Sequence, residues 1–144
     1  MQIREILTLK PAAIHSIAPT DAVSVALGKM VELGVGSLVV MQGGEMVGLL
    51  TERDVVHGLA RQGYDLKDAQ VSSIMVTEPV VANAEDSVDY ARDVMTKSHI
   101  GHLPILDGNA LLGIISFHDV ARACLKEANF ENSLLKRYIK HWPE

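Results

Sequence analysis

A chain of 144 residues, 48% of them hydrophobic and 22% charged, has room for one compact domain or for two small halves sharing a core, but not for two independent enzymatic domains. Its formal charge of −5 excludes a sequence-independent attraction to nucleic acid, and a single cysteine, Cys124, excludes an internal disulfide framework or a zinc site built on several thiolates. No apolar run approaches the roughly 18 residues that cross a bilayer, and Met1-Gln2-Ile3-Arg4-Glu5 is not followed by a signal core, so a cytoplasmic protein with no membrane partner is expected.

The chain opens on a short amphipathic piece, Ile3-Arg4-Glu5-Ile6-Leu7, stopped by Pro11. After the turn at Pro19-Thr20-Asp21, residues Val23, Ala26, Leu27, Met30, Val31 and Leu33 follow the 3.6 period and predict a helix with the Asp21 carboxylate beside its positive end. Gly34 and Gly36 break that helix. Ser37 to Met41 then reads as an apolar strand, Gln42 to Glu45 as a turn, Met46 to Leu50 as a second strand, and a helix starts at Thr51. Leu59 to Gln70 reads as a hinge. A second amphipathic piece, Val71-Ser72-Ser73-Ile74-Met75, is stopped by Pro79, and the same order follows again. Asp86 opens a helix carrying Val88, Ala91, Val94 and Met95, strands cover Leu103 to Leu106 and Leu111 to Ile115, and a final helix starts at Ser116. Residues 119 to 141 predict one extended last helix with the apolar stripe Val120, Leu125, Leu134, Leu135, Tyr138 and Ile139, interrupted near Asn129 to Asn132. Its end, Phe130 to Trp142, is expected to cap the fold or to pair with a second chain.

Sliding residues 15 to 57 by 65 positions onto residues 80 to 122 needs no gap and pairs ten of 43 positions identically, among them Asp21/Asp86, Gly36/Gly101, Gly48/Gly113 and Asp54/Asp119. Two tandem units therefore make up the chain. The expected organisation is an α/β fold with a first repeat at 1–62, a linker at 63–70, a second repeat at 71–126 and a C-terminal helical extension at 127–144. A unit of about 60 residues leaves an apolar sheet face that it cannot cover alone, so the two should pack about a pseudo-twofold axis, with ligand sites in related pairs at the seam.

Both copies carry the same turn: Gly48-Leu49-Leu50-Thr51-Glu52-Arg53-Asp54 and Gly113-Ile114-Ile115-Ser116-Phe117-His118-Asp119. A hydroxyl with an acid three residues later is a capping box, worth roughly 1 kcal/mol, and this structural reading needs no ligand. The functional reading is that free amides at the helix start, with Thr51 or Ser116, hold an anionic phosphate while the Asp accepts hydrogen bonds from a ribose diol. Arg53 adds a bidentate phosphate donor to one copy and His118 a pH-conditional donor to the other.

This pair of turns, with Ile100-Gly101-His102-Leu103-Pro104-Ile105-Leu106 before the second, resembles the cystathionine-β-synthase domain pair, or Bateman module, in its small stand-alone bacterial form. The resemblance runs from residue 1 to about residue 122, which leaves no room for an attached enzyme or channel. It implies tandem repeats, a homodimer, no required cofactor, and binding of adenosyl ligands such as AMP, ADP, ATP, NAD or S-adenosylmethionine in clefts that draw the ribose group from one repeat and base contacts from the other. Carried over by position, Thr51, Arg53 and Asp54 join Val80, Ile100, Gly101, His102 and Pro104 in one cleft. Ser116, His118 and Asp119 join His15, Ile17, Val35, Gly36 and Ser37 in the other. Gly101 stands where similar proteins often carry Arg, so the first cleft lacks a phosphate contact.

The remaining chemistry-bearing residues have plainer readings. The six histidines are scattered at 15, 57, 99, 102, 118 and 141, with no acid or thiol completing a ligand set around His99 and His102, so no metal is expected. Cys124 sits in a helix interior and no serine occupies a Gly-x-Ser-x-Gly elbow, so catalysis is not expected either. The sequence thus reads as a non-catalytic sensor of adenine nucleotide that signals to a partner protein. The alternatives are a ligand-independent interaction and dimerisation module and, less well supported, a nucleotide-processing enzyme.

Overall fold

In the computed structural model of the chain, residues 1–10, 13–63 and 68–140 are described, the side chains of residues 138–140 excepted. Pro11, most of the linker (64–67) and residues 141–144 lie outside the described residues, as do the side chains of Tyr138 and Ile139.

A helix, α1 (Ile3–Leu9), precedes the first repeat, which runs β1 (Ser16–Ile17), α2 (Val23–Leu33), β2 (Ser37–Gln42), β3 (Glu45–Thr51) and α3 (Glu52–Gln62). A 3-10 turn at Val71–Ser73 precedes the second, which runs β4 (Ala82–Asn83), α4 (Val88–Ser98), β5 (His102–Asp107), β6 (Ala110–Ser116) and α5 (Phe117–Lys140). Each repeat builds a three-stranded sheet in which a short parallel strand flanks an antiparallel hairpin, in the order β1-β2-β3 and β4-β5-β6. Registers correspond: Ile17 lies opposite Val40 and Ala82 opposite Ile105. This is the expected α/β class with tandem strand-helix-strand-strand-helix units.

Two apolar cores hold the sheets. Leu38, Val40, Leu50 and Val55 pack with Val23, Ala26 and Met30 in one, and Leu103, Ile105, Ile115 and Val120 pack with Val88, Ala91 and Met95 in the other. Burying a residue of this size contributes roughly 1.5–3 kcal/mol. The chain repeats and the cores do not coincide, because each repeat's leading segment is exchanged. Ile3 and Ile6 of α1 lie in the second repeat's core, while Val71 lies in the first repeat's core. Backbone bonds lock the exchange: Ile3 N donates to Asp86 O at 2.9 Å, and Val71 N donates to Asp21 O at 2.9 Å.

Three local expectations are corrected. Asp21 and Asp86 do not sit on their helix ends; they fold the preceding turns by accepting the amides of Ala18 at 3.0 Å and Asn83 at 2.8 Å. Ser87 caps α4 instead, accepting from Tyr90 N at 3.0 Å. The last helix is continuous through Asn129 and Asn132, since an asparagine costs at most about 0.7 kcal/mol in a helix interior whereas restarting a helix requires a new nucleus. The end of α5 does not cap the fold: every described side chain from Ala128 to Arg137 is exposed, Phe130, Leu134 and Leu135 among them. Helix ends also correspond between repeats. Gly34 closes α2 in the left-handed region at φ 66°, and its counterpart His99 closes α4 in the same conformation at φ 53°.

Candidate functional site

Both hydroxyl-x-x-Asp turns form reciprocal caps where a strand enters a helix. In the first, Thr51 N donates to Asp54 Oδ2 at 2.9 Å and Asp54 N donates to Thr51 Oγ1 at 3.2 Å. In the second, Ser116 N donates to Asp119 Oδ2 at 2.9 Å and Asp119 N donates to Ser116 Oγ at 3.1 Å. The capping role is therefore present in both copies, and any ligand site is distinguished by what surrounds each turn. A main-chain bond ties each helix start to a glycine of its own repeat: Glu52 N to Gly36 O at 3.0 Å, and Phe117 N to Gly101 O at 2.8 Å.

The Asp119 turn opens onto a cleft of about 620 Å³, within the range of small-molecule sites. Ser116, Asp119, Leu112 and Ile114 of the second repeat form one wall; His15, Leu33, Val35, Gly36 and Ser37 of the first form another; and Leu7, Thr8 and Lys10 close it from α1 and the residue after it. The structure thus brings together six of the eight residues assigned to this cleft: His15, Val35, Gly36, Ser37, Ser116 and Asp119. The other two lie elsewhere. Ile17 is in the first core, where its place in β1 turns it inward, and His118 is exposed on the first turn of α5.

Lys10 was not singled out from the sequence, where it is one lysine before a proline. Its Nζ donates to Asp119 Oδ2 at 2.7 Å and to Ile114 O at 2.8 Å. Burial pushes the Asp119 carboxyl up, but the hydrogen bond from Lys10, those from Ser116, and the Lys10 charge outweigh it and hold the group below the usual carboxylate range. Among the described residues, the hydrogen bonds from Lys10 and Ser116 to this carboxylate converge on Oδ2.

The Thr51 end is built differently. Met75 and Val76 lie over β3 where Gly48 gives them room: a Cβ there would sit 2.8 Å from Met75 Sδ and 2.9 Å from Val76 O. Arg53 is exposed and its guanidinium donates to His99 O at 2.7 Å, joining α3 to the turn before β5. Val80 is exposed, Ile100 packs on the second core, Pro104 is buried in β5, and Gly101 has open space where a side chain would stand. His102, assigned to this end, lines the Asp119 cleft instead, with its ring against Gly36.

Burial lowers the His102 pKa, the Glu52 charge works against that, and the Lys10 charge adds to it. Its folded value thus lies below the ordinary 6.5 or so of the unfolded chain. Below that pH the unfolded state binds more protons, so stability should fall as pH drops toward the folded value and then level off. Urea titrations of wild type and His102→Gln between about pH 7.5 and 5 should show a shallower loss in the variant; parallel curves would remove His102 as the cause.

Among the described residues no group of His, Cys, Asp and Glu side chains is arranged to hold a metal ion, and no helix is long and apolar enough to cross a membrane. The model of the CBS domain family matches the chain twice, over residues 3–61 and 71–126. The mitochondrial CBS domain-containing protein CBSX3 of Arabidopsis thaliana is 34% identical over 125 residues, covering 83% of this chain and 61% of that protein, so the chain spans less than two thirds of that relative. A solved protein with CBS domains from Burkholderia ambifaria MC40-6 superposes with a TM-score of 0.84 at 31% identity, over 88% of this chain and 95% of that one. The CBS domain pair of the protein MJ0100, solved in complex with 5′-methylthioadenosine and S-adenosyl-L-methionine, superposes with a TM-score of 0.74 over 85% of this chain and 98% of that one; at 19% identity this is a likeness of fold alone.

Proposed function

The chain belongs to the CBS domain family as a tandem pair of repeats, and on that premise we propose that it is a non-catalytic regulatory module that binds an adenine nucleotide, AMP, ADP, ATP or NAD, in the Asp119 cleft. The observation that carries this reading is the cleft itself, in which Ser116 and Asp119 of one repeat face His15 and Val35 to Ser37 of the other. Asp119 supplies an anionic acceptor for ribose hydroxyls, Lys10 supplies a cationic donor for phosphate, and Leu33, Val35, Leu112 and Ile114 supply apolar surface for a purine. That the MJ0100 domain pair holds two adenosyl compounds supports the ligand class. A ligand touching both repeats favours one relative orientation of them, by no more than its difference in affinity for the two arrangements. The exposed Phe130, Leu134 and Leu135 on α5 supply an apolar surface for a homodimer.

A thermal-shift series with AMP, ADP, ATP and NAD tests the reading. Ligand at 100 times its dissociation constant adds about 2.7 kcal/mol, or about 5 to 10 °C for a chain of this length. No shift with any of the four, from a folded protein that remains dimeric, would overturn nucleotide binding and favour a module that acts through α5 alone.

A further inference from the structure

The two leading segments differ in how they pass the sheet edges. After Met75 the backbone is extended, and Val76 exchanges two bonds with Leu49 at 2.9 Å each, which closes the outer edge of β3. In the other half, α1 continues as a helix to Leu9, so the corresponding edge of β6 at Ile114 has no such partner among the described residues. The Ile114 carbonyl is bonded by Lys10 Nζ at 2.8 Å, and the same ammonium pairs with Asp119 at 2.7 Å. One side chain thus bonds the edge of β6 and neutralises the carboxylate inside the cleft. The pair is largely shielded, with the Asp119 side chain 14% exposed and that of Lys10 32%.

We propose that Lys10 makes the Asp119 cleft selective for a ligand carrying a 5′-phosphate, by pairing with Asp119 while the cleft is empty and moving to the phosphate when the carboxylate takes the ribose hydroxyls. The inference rests on the reading of this cleft as an adenine nucleotide site. A shielded ammonium deprived of its counter-ion is costly. A neutral nucleoside that takes the carboxylate offers Lys10 no anion in return, whereas a nucleotide does. The flexible four-carbon stem of lysine allows the exchange without backbone movement.

Isothermal titration of adenosine and AMP into wild type, Lys10→Met and Lys10→Arg tests it. Wild type should prefer AMP by about tenfold or more, a difference of about 1.4 kcal/mol or more. Lys10→Met should bring AMP down to the adenosine affinity while leaving adenosine equal or tighter, and Lys10→Arg should keep the preference. Equal affinities in wild type, or equal losses of both ligands in Lys10→Met, would overturn the inference and leave the nucleotide site standing. Failure of wild type to bind either ligand would overturn the nucleotide reading and this inference with it.

Discussion

Alanine at Gly48 should destabilise the fold by about 1 to 3 kcal/mol, whereas alanine at the equivalent Gly113 should change stability by no more than about 0.5 kcal/mol in either direction. Position and burial are alike: both glycines are buried in the last strand of their hairpins, and neither adopts a positive φ. Their neighbours differ. The added methyl at Gly48 would lie 2.8 Å from Met75 Sδ and 2.9 Å from the Val76 carbonyl. The thioether can turn aside, but that carbonyl accepts the Leu49 amide at 2.9 Å, so relief requires the strand bond to loosen. At Gly113 the neighbour among the described residues is Leu7 Cδ2, at 3.1 Å from the added methyl, the tip of a flexible side chain. Alanine also reduces the freedom of the unfolded chain, a gain of about 0.4 to 1 kcal/mol that offsets the small clash at Gly113 and not the large one at Gly48. Urea titrations of the two variants read the contrast directly. Equal losses would mean that the two sheet edges are packed alike, against the difference between Met75 and Val76 over Gly48 and Leu7 over Gly113 among the described residues.

The sequence carried the fold class well because each element had a local cause. Apolar residues at 3.6 spacing bury one face of α2 and α4, continuous aliphatic runs form the hairpin strands, and Gly34 stops α2 with a left-handed residue. A gap-free offset of 65 residues then doubled every local argument. What was illegible depended on partners distant in the chain. Nothing near Ile3 shows that its amide bonds to Asp86, so the exchange of leading segments had no local signal. Lys10 is the more instructive case, for a trace of it was present: the leading pieces beginning at Ile3 and Val71 lie 68 residues apart while the repeats lie 65 apart. Those three additional residues lengthen the segment that becomes α1, and the residue after that helix, Lys10, reaches the β6 edge at Ile114. Ile17 shows the opposite limit. Positional carry-over placed it at the cleft, but in a strand of two residues only one side faces outward, and the register with Val40 puts Ile17 in the core.

Asp119→Asn should lower nucleotide affinity by about one to two orders of magnitude, the loss expected when a ligand exchanges charge-assisted hydrogen bonds for neutral ones, while Asp54→Asn should leave affinity within about twofold. The comparison is controlled by the caps. Each substitution weakens a reciprocal cap of the same geometry, so each should cost roughly 1 kcal/mol of stability or somewhat more. A binding loss that merely followed stability would therefore appear in both variants. Among the described residues, Asp119 and not Asp54 lines the cleft, and Asp119 and not Asp54 has a lysine ammonium at 2.7 Å. Because its folded pKa is depressed, its stabilising contribution is complete above the unfolded value of about 3.9 and is lost as pH falls through the lower folded value. The carboxylate is consequently charged at pH 5 as at pH 7, and the contrast between the two variants should persist at both. Equal losses in the two variants would place the ligand at both turns or at neither, and a loss confined to Asp54→Asn would move the site to the Thr51 end, where Met75 and Val76 would have to lift from β3 to admit it.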